Sequence, residues 1–269
     1  MLSRHAVATA LATALFCTTI SNEALAAPFQ VGEFLTYSQQ SWGSLGSAAE
    51  QVLLNHSTDV YPNGVEVGIS GILGSSALFT TLDAIQIYLP QSGSAGPLDN
   101  DYLNPSSTNS GYFGSYVLAM TFNVDFNDAG LLAGSSDTPF GNLTILKLGA
   151  FVVEGVLEDF SDLNGLSVRQ FLAAANTCLG GGFCPHTYEG MAFVARDLSE
   201  AFDNGTPTQF AQDHLQPPAG PTPVPEPATL SLFGIGLAAL TARYRSTRHV
   251  LSSQPQNDND NHGVGRNRS

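Results

Sequence analysis

Two short runs of the chain crowd oxygen-bearing side chains: Asn123, Asp125, Asn127 and Asp128, then Asp159, Ser161, Asp162 and Asn164. Such groups suit calcium, a hard cation that takes oxygen ligands. A helix–loop–helix calcium loop wants ligands at alternate positions, glycine at the sixth and glutamate at the twelfth. Counted from Asn123, the sixth position is Asp128 and the twelfth is Gly134. The second run departs in the same way. Both read as helix ends and turns, where Asp and Asn accept hydrogen bonds from backbone amides. No cofactor is expected, and calcium is the one weighed.

Nucleophilic chemistry has little to build on. The chain has no G-x-S-x-G, no H-E-x-x-H, no phosphate-binding glycine loop and no paired CxxC. His56, His186, His214 and His262 are scattered, and none stands in a nucleophile–base pattern. A Ser-His-Asp set is defined by geometry and not by order, so a secreted hydrolase stays an alternative that needs converging side chains. Tyr37, Trp42, Tyr102 and Tyr112 are the aromatic residues that would have to be exposed together to make a saccharide platform. Trp42, the single tryptophan, reads more readily as a core anchor. The expectation is a protein that is not an enzyme.

Both ends of the chain look like addresses. Residues 1–26 place Arg4 before an apolar stretch and close on Ala24-Leu25-Ala26, the small-x-small pattern of a signal peptide cut after Ala26. That export route makes an oxidising compartment, where Cys178 and Cys184 in CLGGGFC are expected to form a disulfide. Cys17 leaves with the signal peptide. Setting aside Glu23, Glu226, Asp258 and Asp260 leaves 19 of the 23 acids in the body of the chain, against three bases, Lys147, Arg169 and Arg196. So acidic a body excludes nucleic acid and anionic lipid surfaces as direct partners.

The far end has three parts in fixed order. Pro225, Glu226 and Pro227 make a stiff extended piece, because each proline fixes its φ and restricts the residue before it. An uncharged apolar run follows over 228–242. Arg243, Arg245 and Arg248 then form a basic cluster that stays on the cytoplasmic side. The apolar run is shorter than the ~20 residues of a full bilayer crossing. Together the three parts resemble the PEP-CTERM sorting signal of Gram-negative bacteria. The resemblance implies processing near Pro225-Glu226-Pro227 by an exosortase-type enzyme, after signal peptidase and a transient stop in the inner membrane. It also implies a final place in the cell envelope or outside the cell, with exopolysaccharide or biofilm matrix as surroundings. The chain departs from such signals by running on through a polar, Asn-rich stretch, 249–269, which is expected to be disordered.

The elements between the two ends must position whatever the body does. Residues 29–42 mix aromatic, β-branched and polar residues and suggest a strand. Ser47, with Glu50 three residues on, has the spacing that caps a short helix over 47–54. A strand is expected over 65–72, a threonine-capped helix over 79–89 ended by Pro90, and a loop over 91–110. Residues 143–151 suggest a buried strand. Two amphipathic helices are clear: 166–179, with Val168, Phe171, Leu172, Ala175, Cys178 and Leu179 on one face, and 191–202, with Met191, Val194, Leu198, Ala201 and Phe202. A proline-rich linker spans 215–224. Residues 114–126 alternate like a strand and also fit a helix.

The pieces TYSQQSWG, YLNPSSTNSGYFGSYVLAMTFNVDFNDAGLL, LNGLSVRQFLAAANTCLGGG and EAFDNGTPTQFAQDHL resemble a recurring ectodomain of PEP-CTERM and other secreted bacterial proteins. That resemblance implies no activity, and it favours helix over 115–126. The resulting expectation is an α+β protein with one exported globular domain over 27–214. Its first half mixes strands and helices, and its second half is mainly helical. A cleavable signal peptide precedes it, and a sorting segment over 225–248, with a membrane-sorting helix, follows. The function expected is that of an exported surface or matrix protein, with a carbohydrate-binding adhesin as a further alternative.

Overall fold

The computed structural model describes residues 28–218, apart from 73 and 133. The signal-peptide residues, with Ala24 and Ala26, lie outside the described residues. So do the linker beyond 218, Pro225, Glu226, Pro227, Arg243, Arg245, Arg248 and the 249–269 stretch. The body is α+β.

A single helix, α4 (Gly111–Asp128), runs through the core with most of its residues buried, on every side of its middle turns. Such burial on all sides erases the 3.6-residue stripe that marks a surface helix, which is why its sequence also reads as a strand. Two amphipathic helices lie against it, α5 (Val168–Leu179) and α6 (Tyr188–Ser199). The apolar faces expected for both are buried throughout. Ser167 and Gln170 cap α5 reciprocally, side chain to backbone in each direction. Thr187 caps α6 by accepting from the Gly190 amide.

The N-terminal segment is not a strand over 29–42. It holds one isolated bridge, Thr36 with Asp203, and then a short helix, α1 (Gln39–Gly43), capped by Ser38. Its pairing partner sits some 165 residues away, and Phe29 and Phe34 pack on Phe202 at 5.0 and 4.8 Å. Helix α2 (Ala48–Val60) runs longer than the capping signal foretold. Ser47 Oγ accepts from the Glu50 amide, while Glu50 turns its own carboxylate to the Gly46 amide and to Gln86 Nε2.

Three small sheets complete the domain. Strands β1 (Val65–Gly68) and β2 (Ser76–Phe79) pair antiparallel with Val65 opposite Phe79, and β3 (Tyr102–Leu103) adds in parallel. Phe79 therefore belongs to a strand, and α3 (Leu82–Tyr88) begins only after its cap, Thr81. The strand expected over 143–151 is broken by Lys147, which has a φ of 55°. It divides into β4 (Thr144–Ile145) and β5 (Ala150–Val153). Strand β5 forms a hairpin with β6 (Val156–Asp159). After α7 (Gln209–His214), β4 pairs with β7 (Leu215–Gln216). The first residues assigned to the linker thus belong to the folded domain, with Leu215 buried against it. Among the described residues no helix is long and apolar enough to cross a membrane.

Candidate functional site

The oxygen clusters do not converge on an ion. Asn123 is fully buried and spends its amide on protein groups: Oδ1 accepts from the Tyr37 amide at 2.8 Å and from Trp42 Nε1 at 3.2 Å, and Nδ2 donates to the Tyr37 and Ser199 carbonyls. Asp125 accepts from the Tyr61 hydroxyl at 2.9 Å, Asn127 from the Phe140 amide, and Asp128 pairs with Arg169. In the second run, Asp159 accepts from the Ser161 amide and Asn164 braces both backbone groups of Leu148. Asp162 faces His186 Nε2 at 3.0 Å. Among the described residues, no group of three or more His, Cys, Asp or Glu is placed to hold a metal ion.

Among the described histidines, His186 and His214 are committed in the same way; His262 lies outside the described residues. His186 stands between Glu158 and Asp162 with its ring 4.8 Å from Phe160, His214 faces the Leu146 carbonyl, and His56 lies 3.7 Å from Asp59. None of these contacts is to a serine hydroxyl. Cys178 and Cys184 are joined as a disulfide across the turn that follows α5.

The aromatic residues named as a platform do not form one. Trp42 is fully buried, stacked on Phe126 at 5.6 Å, and Tyr37 meets its edge at 5.4 Å. Tyr102 is tied to Asp99 on the β3 loop. Tyr112 alone of the four lines a cleft, of about 1020 Å³. Its walls come from five stretches of chain. On α4, Tyr112 and Tyr116 stand one turn apart, with ring centroids 6.1 Å apart and planes at 66°. On α6, Glu189 and Phe193 stand one turn apart, followed by Arg196. Gln39 on α1, the 91–94 loop and the tip of the β5–β6 hairpin close the rim.

Local structure explains each placement. Residues spaced by four share one helix face, and α4 and α6 pack together, so both pairs point the same way. The 91–94 loop is pressed onto the start of α4. A Cβ on Gly111, whose φ is 54°, would lie 2.2 Å from the Ser94 carbonyl oxygen, so only glycine fits. The hairpin turns on Glu154 and Gly155, at φ 48° and 82°, the left-handed pair that matches the twist of a two-residue hairpin.

The cleft is acidic. Burial, then the Glu154 and Glu189 carboxylates, hold the Tyr112 hydroxyl above its ordinary range. Its one guanidinium, Arg196, is paired in charge with Asp197: Nε and Nη2 donate to Asp197 Oδ1 at 2.9 and 2.8 Å, and the group lies 5.0 Å from the Phe193 ring centre. Tyr112 was visible in the sequence as a candidate. Tyr116, Glu154 and Glu189 were not, although the Tyr-x-x-x-Tyr spacing on a helix was available as a signal.

An acidic α+β domain bearing a mixed aromatic and polar cleft is therefore followed in the chain by a separate segment. Residues 223–246 of that segment match the PEP-CTERM protein-sorting motif. The chain thus carries the signal of an exported protein sorted by an exosortase, through the membrane to the cell envelope or exterior. Neither the curated proteins nor the solved structures include a match to the chain.

Proposed function

We propose that the protein is a non-enzymatic component of the cell surface or extracellular matrix, delivered by its PEP-CTERM signal and associated with exopolysaccharide. The observation that carries the reading is the sorting motif at 223–246, directly after the folded body. The signal peptide opens the export path, the apolar run over 228–242 halts the chain in the inner membrane, and Arg243, Arg245 and Arg248 set its orientation. Cleavage near Pro225-Glu226-Pro227 then frees or re-anchors the acidic domain. Support for a structural role comes from His186 and His214, both engaged by groups of the fold, and from oxygen clusters spent on hydrogen bonds within the domain. The measurement that tests the reading is the intact mass of the cell-associated and released protein from its native host. The expected masses lack residues 1–26 and everything beyond the Pro-Glu-Pro region. A full-length chain at the surface, or one retained in the cytosol, overturns it.

A further inference from the structure

We infer that the cleft between α4, α6 and the β5–β6 hairpin is a binding site for a single saccharide chain, uncharged or amine-bearing. The inference rests on the matrix reading above for its biological setting, and on the geometry of the cleft for its chemistry. At about 1020 Å³ the space is at the upper end of ligand pockets, which run to ~1,000 Å³.

The lining selects the ligand class. Tyr112 and Tyr116 supply aromatic surface for the apolar C–H side of a sugar, while Glu154 and Glu189 supply acceptors for its hydroxyls; Gln39 Oε1 is already taken by the Ser115 hydroxyl and the Phe193 ring is covered by Arg196. A purely lipid or hydrocarbon ligand would leave those polar groups unpaired and is disfavoured. The 66° angle between the tyrosine planes makes a corner and not a flat shelf. It fits one chain entering a cleft, not the flat face of a crystalline polymer.

Charge narrows the class further. Two carboxylates flank Tyr112, and neither makes a hydrogen bond or ion pair among the described residues. The guanidinium that would answer a uronate is held by Asp197. A uronic-acid polymer is therefore repelled, and an amino sugar is attracted. Glu154 is also the residue at the hairpin tip with φ 48°, a conformation that Asn or Gly holds at less cost. That turn places the Glu154 carboxylate at the rim of the cleft.

The test is calorimetric titration of the exported protein with three soluble oligosaccharides: a neutral glucan, a deacetylated amino-sugar oligomer and an oligouronate. Expected is binding of the amino-sugar and neutral oligomers, the former tighter, and none of the uronate. Tyr116→Ala, shown folded by circular dichroism, should lose affinity for both by about tenfold or more. Glu189→Gln keeps the side-chain shape and should weaken only the amino-sugar arm. Failure of every oligomer to bind, uronate binding as tight as neutral binding, or an unchanged affinity in folded Tyr116→Ala overturns the inference. Co-sedimentation with isolated matrix polysaccharide separates the two readings. Oligomers that bind to a protein absent from the matrix sink the matrix reading and leave the cleft. A protein that sediments with matrix but binds no oligomer sinks the cleft.

Discussion

Asn123 Oδ1 accepts a hydrogen bond from Trp42 Nε1 at 3.2 Å, in a part of the core where both side chains are wholly excluded from solvent. The same amide holds both backbone groups of Tyr37 and the carbonyl of Ser199. One side chain on α4 thus fastens the irregular N-terminal segment and the end of α6. Replacing it by alanine strands four buried polar groups, each costing about 1–3 kcal/mol when unsatisfied. Asn123→Ala is expected to lower unfolding free energy by roughly 3 kcal/mol or more, read by urea titration. A loss under about 1 kcal/mol contradicts the bridging role.

Asp125 carries a pH signature. Burial raises its carboxyl above the ordinary range, and the hydrogen bond from Tyr61 offsets this only in part. Between its unfolded and folded values the native state holds the proton more often than the unfolded chain does. Its contribution is then full below the unfolded value and is lost as pH rises through the folded one. Asp197 and Glu200 are raised by burial in the same sense. Asp125→Asn keeps an acceptor for Tyr61 and removes the charge. Its gain in melting temperature over the wild type should be larger at pH 7 than at pH 4, and an equal gain at both contradicts the assignment.

How much of this was legible follows from where each element finds its partners. Helices α5 and α6 bury one stripe each, so Val168, Phe171 and Leu172, or Met191, Val194 and Leu198, announce them. Helix α4 is buried all round, so period alone does not identify it, and only the likeness to other secreted ectodomains favoured helix there. The 29–42 segment is rich in strand formers, yet its backbone pairs with residues 202–205, a contact no local pattern carries. The cleft is hardest to read because Gln39, Tyr112, Glu154 and Glu189 meet only after folding. Asn123 was expected at a helix end or turn, whereas it lies inside α4 and its partners are Tyr37, Trp42 and Ser199, distant in the chain.

The Cys178–Cys184 disulfide closes a loop with a sequence separation of 6. So short a loop constrains the unfolded chain less than a long one, by about 2 kcal/mol in the chain-entropy account. Cys178 is buried at the end of α5, so a comparison that spares its packing changes only its partner, Cys184→Ser. This variant should fold, with stability lower by about 2 kcal/mol and its loss absent when both proteins are compared under reducing conditions. Failure to fold at all would mean that the loop organises more than its own turn.

Glu154 sets stability against binding. Its left-handed backbone costs an L-residue roughly 1–2 kcal/mol, less for Asn. Glu154→Asn is expected to stabilise the protein by about 0.5–1 kcal/mol while weakening the amino-sugar oligomer. Loss of stability in this variant contradicts the assignment of the tip.

The hairpin that carries Glu154 is tied to α6 by Phe151, which packs on Phe193 at 5.6 Å, and by one carboxylate. Glu158 accepts from the Thr187 amide and the Thr187 hydroxyl, both at 2.8 Å, and faces His186 Nδ1 at 3.1 Å. It therefore places negative charge at the N-terminus of α6, where the helix dipole favours it. A Cβ on Gly190 would come within 2.3 Å of Glu158 Oε2, so glycine at that position lets the carboxylate seat. Strand β6 is otherwise exposed, with Val156 and Leu157 facing solvent, and little apolar burial holds it. Glu158→Ala and Gly190→Ala should thus give the same result by different routes: faster amide exchange over 150–159 and the first turn of α6, with α4 and α5 unchanged. Because the hairpin tip forms one rim of the cleft, both variants should also weaken oligosaccharide binding, although neither Glu158 nor Gly190 itself lines it. Normal exchange in the hairpin of either variant would show that the sheet stands on its own pairing, and that Glu158 serves α6 alone.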